Sequence, residues 1–269
     1  SGPVALAIAD FDKSDKELLA DLAVGCDGSG QTGVKIYTNE TPLGLGGARG
    51  AFFNYASTWA TPVPTTVDPI DVNDDKDIDI IVMSNGGNNV TIKRGNGAGN
   101  TDDVLSTPIT LPTGSSAVAA VVSLLNEDEY EEFITVNNGG DALSILSGDG
   151  DWMGSPSSVT VGDEPLSIDI ADFDNDGDND LVVSELDENG DRQLMIIRND
   201  SAGSVVVLGM VDPIGNGSDP TLVATGDFDD DQLIDIVSVI DLTPAMRAIS
   251  PAIGLYLNET TVTCTEDVD

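Results

Sequence analysis

The chain has 269 residues, 40% of them apolar, and sets 48 Asp plus Glu against 10 Lys plus Arg for a formal charge of -38. That is enough apolar material for a buried core, and enough negative charge to repel nucleic acid and anionic membrane surfaces, which excludes both as partners. Histidine is absent altogether, which removes the usual general base near neutral pH, the Ser-His and Cys-His pairs and most zinc sites.

Taken in chain order, the sequence predicts one small unit five times over, at approximately 1–61, 62–114, 115–162, 163–217 and 218–269. The first passes from an apolar run at Val4 to Ala9 through "ADFDKSDKELLADLAV" to "GVKIYTNE" and "AFFNYAST". The second runs through "IDVNDDKDIDIIVM" to "NVTIKRGN", and the third through "SLLNEDEYEEFITV" to "ALSILSGD" and "SSVTVG". The fourth holds "ADFDNDGDNDLVVS" and "QLMIIRND", and the fifth "GDFDDDQLIDIVSV", "AIGLYLNE" and "TVTCTE". Pro3, Pro64, Pro165 and Pro220 each stand seven residues before the first acid of their loop, so the copies share register. Short β-branched runs divided by Gly/Asn-rich turns, with no sustained helical period, predict four antiparallel strands per unit.

Four strands repeated five times predict an all-β fold, a single-domain β-propeller of five four-stranded antiparallel blades; the alternative is a partial ring of a larger seven-bladed propeller. The chain opens just before a first strand and stops after a fourth, which favours five whole blades. Cys26 and Cys264 fall in the first and fifth units, neighbours in a closed ring, so a disulfide between them is expected; two free thiols are the alternative.

The acidic loops carry the chemistry. Counted from Asp172, carboxylates fall at positions one, three, five and nine as Asp172, Asp174, Asp176 and Asp180, with Gly177 at six and the backbone carbonyl of Asp178 available at seven. Such an oxygen cage suits calcium, which takes six to eight hard ligands, better than magnesium, which demands a strict octahedron. The second loop repeats it with Asp71, Asn73, Asp75, Asp77 and Asp79, and the fifth with Asp227, Asp229, Asp231, Leu233 and Asp235. In the first loop Asp10 and Asp12 are followed by Ser14, and the closing Asp21 comes three residues late, so a weak, reshaped or empty site is expected there. The third loop has Leu124 at position one, then Asn126, Asp128 and Glu132, and no tight site is expected. About three calcium ions are therefore expected, or four if the first loop binds one.

The unit "IADFDNDGDNDLVV", with "IIRND" and "LYLNE" downstream, resembles the FG-GAP/VCBS repeat of integrin α-subunit propellers and many secreted proteins. The resemblance implies a propeller with calcium between the first two strands of a blade, facing away from the usual ligand face. A non-catalytic extracellular or cell-surface recognition or adhesion module is expected, with a protein or glycan ligand opposite the calcium loops. The competing classes are a self-assembling structural subunit of a surface assembly or filament, and a polysaccharide-active enzyme such as a glycoside hydrolase or lyase. No apolar run approaches the roughly 20 residues of a membrane span, so direct membrane insertion is not expected. Asn39, Asn89, Asn199, Asn216 and Asn258 each begin an N-x-Ser/Thr sequon and are candidates for glycosylation.

Overall fold

The computed structural model describes residues 2–12, 20–28, 31–39, 53–59, 63–71, 75–84, 89–95, 101–102, 109–110, 116–126, 128, 130–148, 156–199, 205–211, 218–242 and 252–256. Among them the fold is all-β, built from antiparallel sheets without a helix, and no helix is long and apolar enough to cross a membrane. The chain divides into two compact units, Ser1–Leu166 and Ser167–Asp269.

In the first unit, β1 (Pro3–Ala9), β2 (Asp21–Gly28), β3 (Gln31–Asn39) and β4 (Phe53–Trp59) form one meander in chain order. The next sheet runs β5 (Pro64–Ile70), β6 (Asp79–Ser84) and β7 (Asn89–Gly95). Its outer edge differs from the expected single fourth strand: β8 (Thr101–Asp102) pairs one end of β7 and β9 (Ile109–Thr110) the other. The third sheet is β10 (Ala117–Ser123), β11 (Glu132–Asn137), β12 (Ala142–Leu146) and β13 (Ser157–Thr160).

The second unit holds the sheet β14 (Asp163–Ala171), β15 (Asp180–Leu186), β16 (Arg192–Asn199) and β17 (Val205–Val211), with the unit boundary falling inside β14. A last sheet orders β18 (Ser218–Gly226), β19 (Asp235–Leu242) and β20 (Ala252–Tyr256), and its expected fourth strand lies outside the described residues.

Burial explains the sequence of the second strands. Every residue of β6 and β11 is buried, as are Asp180–Glu185 of β15, because these strands sit mid-sheet and sheets pack on one another face to face. A strand covered on both faces needs a continuous apolar run rather than alternation. Ile80, Val82, Val34, Ile36 and Val67 join the first sheet to the second, and Ile81, Ile92, Phe133 and Leu146 join the second to the third. In the second unit Val182 and Leu194 meet Ile236. Truncating a wholly buried side chain such as Phe133 would cost about 3–5 kcal/mol.

Candidate metal centres

Each acidic loop joins the first and second strands of a sheet, so its last acid is also the first residue of a buried strand. The backbone turns tightly on two positive-φ residues in the fourth loop, Asn175 (φ 59°) and Gly177 (φ 100°), and at the same places in the fifth, Asp230 (φ 64°) and Gln232 (φ 71°). Lys76 (φ 72°) holds the position of Gly177 in the second loop. Asn, Asp and Gly tolerate this region readily, whereas Lys and Gln adopt it at some cost in strain.

The first acid organises the turn. Asp172 accepts from the backbone N–H of Asp176 at 3.2 Å and of Gly177 at 3.0 Å. Asp227 takes Asp231 and Gln232 at 3.1 and 3.0 Å, and Asp71 takes Asp75 and Lys76 at 3.2 and 2.8 Å. The fifth-position acid then accepts from position seven: Asp178 on Asp176 (3.0 Å), Leu233 on Asp231 (2.8 Å) and Asp77 on Asp75 (2.8 Å).

The last acid closes the loop. Asp180 accepts from Phe173 N–H at 3.1 Å and, across the hairpin, from Asn199 N–H at 2.8 Å. Asp21 is clasped alike by Phe11 (2.9 Å) and Asn39 (2.7 Å), Asp79 accepts from Gly95 (2.6 Å), and Asp235 from Phe228 (2.9 Å). A Cβ at Gly95 would overlap the Ile78 carbonyl, so the chain approaches its closing acid there without a side chain.

Among the described residues three carboxylate clusters result, each able to place one oxygen per residue within 4.8 Å of the others: Asp10, Asp12 and Asp21; Asp172, Asp174 and Asp180; Asp227, Asp229 and Asp235. Burial pushes the Asp180 carboxyl up; the Asn199 and Phe173 N–H groups pull it back, and Asp174 and Asp176 raise it. Asp21 is raised by the same burial, with Asp12 and Asp10 adding to it. Asp229 is raised by local desolvation and then by Asp231, Asp235 and Asp227. Crowded carboxylates held in place by backbone donors are a donor set that three metal ions could fit.

In the first loop, despite three added residues, Asp21 reaches Asp10 and Asp12 and takes the same two backbone bonds as Asp180. Ser14 lies outside the described residues, as does Asn73 of the second loop, where Asp71, Asp75 and Asp79 share the hydrogen bonds of the other loops. Glu131, in the third loop, is raised by burial and then by Asp71, so acid from the neighbouring sheet faces the second loop.

The third loop keeps the closing clasp without the first acid. Glu132 accepts from Leu125 N–H at 2.8 Å and from the Asn126 side-chain amide at 2.9 Å. Asn126 in turn accepts from Asp128 N–H, and Asp128 from Tyr130 N–H, both at 2.8 Å. Leu124 is exposed where other loops carry their first acid.

Several features were not read from the sequence. The Asn that recurs after the third strand gives the loop a second tie: Asn39 Nδ2 donates to Ala20 O and Asn199 Nδ2 to Asn179 O, each at 3.2 Å. Asn199 is buried, so its sequon serves this turn; Asn216 and Asn258 lie outside the described residues, and Asn89 opens β7. Phe11, Phe173 and Phe228 supply the N–H that fixes each closing acid, and the repeated "DFD" was the available signal. The bridge expected at Cys26 is not formed: the thiol is free, with Sγ 3.8 Å from the Val24 carbonyl on its own strand, and Cys264 lies outside the described residues.

The FG-GAP-like repeat family matches residues 125–183 and 172–238. No curated protein matches the sequence significantly. Among solved structures, the biofilm matrix protein Bap1 of V. cholerae is similar at a TM-score of 0.52 and 12% identity, over 96% of this chain. This chain spans only 38% of the Bap1 chain. BBS1N, solved in complex with ARL6DN, is similar at a TM-score of 0.50 and 14% identity, over 96% of this chain and 69% of its own. At such identities the likeness is one of fold.

Proposed function

On the premise that the chain carries FG-GAP-like repeats over residues 125–183 and 172–238, we propose that its sheets are blades of a calcium-stabilised β-propeller acting as a non-catalytic recognition or adhesion module outside the cell. The observation that carries this reading is the recurrence of one carboxylate triad at one place in three sheets, at Asp10/Asp12/Asp21, Asp172/Asp174/Asp180 and Asp227/Asp229/Asp235. The second loop, with Asp71, Asn73, Asp75 and Asp79, would complete a fourth site.

Bound calcium would supply charge neutralisation and an oxygen-bridged cross-link between the two strands of each hairpin. The chain's own residues do the rest. Asp172 and Asp227 fix the turn through its N–H groups, and Asp180 and Asp235 anchor it to the buried strand. Asp174 and Asp229 complete the charge that a cation would offset.

Sites on exposed loops with few ligands suit the sub-millimolar to millimolar calcium of extracellular modules, which supports a setting outside the cell. The fold shared with a biofilm matrix protein agrees with that setting. The absence of histidine supports a non-catalytic role; among the raised carboxyls Asp21, Asp180 and Asp229 belong to the metal loops, while Asp68, raised by burial, lies on β5. Ligand contact is assigned to the hairpin turns at the opposite end of each sheet, such as 187–191, where polar ligands such as glycans or basic protein surfaces suit the acidic, Asn- and Gly-rich composition.

Thermal unfolding in chelator and across a calcium titration, with bound metal counted by elemental analysis, tests the reading. At least three ions per chain and a large calcium-dependent rise in Tm are expected. A metal-free protein with an unchanged Tm would overturn it.

A further inference from the structure

The fourth loop already contains a cation of the protein's own. Arg198, one residue before Asn199 on β16, places Nε 2.7 Å from Asp174 Oδ2 and Nη2 3.6 Å from Asp176 Oδ2. Nε is buried, and its approach to Asp174 lacks the alignment of a hydrogen bond, so this is a charge contact that a better-placed cation could displace. Asp174 also belongs to the triad with Asp172 and Asp180.

We infer that Arg198 is a built-in competitor for metal at the fourth loop, so that this loop fills at higher free calcium than the first and fifth. The inference rests on the calcium reading above. A guanidinium on Asp174 and a divalent ion in the same triad are like charges sharing one acceptor, and loading requires Arg198 to swing outward. Its side chain is 38% exposed, which leaves it a path to solvent.

The other two triads lack a charge at this register, whereas the second loop has Arg94 there, one residue before Gly95. Thr38 stands one residue before Asn39 in the first unit, and Leu257 one residue before Asn258 in the fifth. Three loops with the same carboxylate geometry would therefore differ in affinity through a residue that is not a ligand. For charges a few ångströms apart at a solvated surface, the difference is on the order of tenfold.

A second effect has the opposite sign. Without metal, Arg198 offsets part of the repulsion among Asp174, Asp176 and their neighbours, so the fourth loop depends least on calcium to stay closed. The device grades the response of the chain to calcium, with the first and fifth loops responding before the fourth.

The test compares the full chain with Arg198→Gln and Arg198→Lys by equilibrium dialysis against chelator-buffered calcium, with Tm measured in chelator and in saturating calcium. In Arg198→Gln one ion is expected to bind at about tenfold lower free calcium. Its Tm is expected to fall in chelator but not in saturating calcium, and Arg198→Lys, which keeps the charge, should titrate like the parent. Identical titrations of the parent and Arg198→Gln, with at least three ions bound by each, would overturn this inference and leave the calcium reading standing. An equal fall in Tm under both conditions would reduce Arg198 to a structural residue and also overturn it. No calcium bound by any of the three proteins would overturn both readings.

Discussion

Asn199 donates its backbone N–H to Asp180 Oδ1 at 2.8 Å, tying the last residue of β16 to the first of β15. The other oxygen of Asp180 takes Phe173 N–H, so one buried carboxylate secures three segments of chain before any ligand is considered. Asp180→Ala would leave both donors unmatched. A loss of about 2–4 kcal/mol is expected in urea unfolding, in chelator as well as in calcium.

Removing an acid from the mouth of a loop should act in the other direction. Asp229 is exposed and held above the ordinary carboxylate range by local desolvation and by its neighbours Asp231, Asp235 and Asp227. Asp229→Asn relieves that repulsion, so Tm in chelator is expected to rise slightly. The same variant should bind one calcium fewer by elemental analysis.

The third loop offers the converse experiment, because the Asn126 amide meets Glu132 where the fourth loop sets Asp174 against Asp180. The double variant Leu124→Asp/Asn126→Asp exchanges that hydrogen bond for facing carboxylates. In chelator its Tm should fall below that of the parent. In saturating calcium most of the loss should be recovered, with one additional ion bound.

The pH dependence should change sign with calcium. Burial raises Asp21 and Asp180 above 3.8 and Glu132 above 4.5. Since the folded chain holds these protons at higher pH than the unfolded chain, their ionisation opposes folding, and the penalty lifts as pH falls through the raised values. In chelator, Tm should therefore rise from pH 7 towards the upper edge of the carboxylate range. Below it, Asp187 works against the fold: hydrogen bonds from Asn189 and Asp191 lower its value, and that contribution is lost as pH falls through it. In saturating calcium, protons compete with the metal for Asp21 and Asp180, and Tm should fall across the same interval.

The strands and loops were legible because each repeat states them in a short run: "DIDIIVM" is a buried middle strand, and "DNDGDND" is a turn with acids on alternate residues. The spacing of Asp10, Asp12 and Asp21 pointed to a weak, reshaped or empty site, and it did not show that the three carboxylates meet. Closure there depends on Phe11 and Asn39 N–H, and backbone donors have no signature in composition. Arg198 escaped notice for a related reason. Its partners Asp174 and Asp176 lie more than 20 residues earlier in the chain, and only the pairing of β15 with β16 brings its strand back beside the loop.

The divided outer edge of the second sheet shows where this architecture can accommodate new sequence. β8 and β9 each pair with only two residues of β7, while Ile80, Ile81 and Val82 are held in the sheet interior by β6's own neighbours. A peptide tag or fluorophore-bearing segment spliced between Asp102 and Ile109 would interrupt no pairing among β5, β6 and β7. That edge is a natural port for reporters on the Ile109 side, because Asp102 pairs with Arg94 beside the Gly95 that holds Asp79.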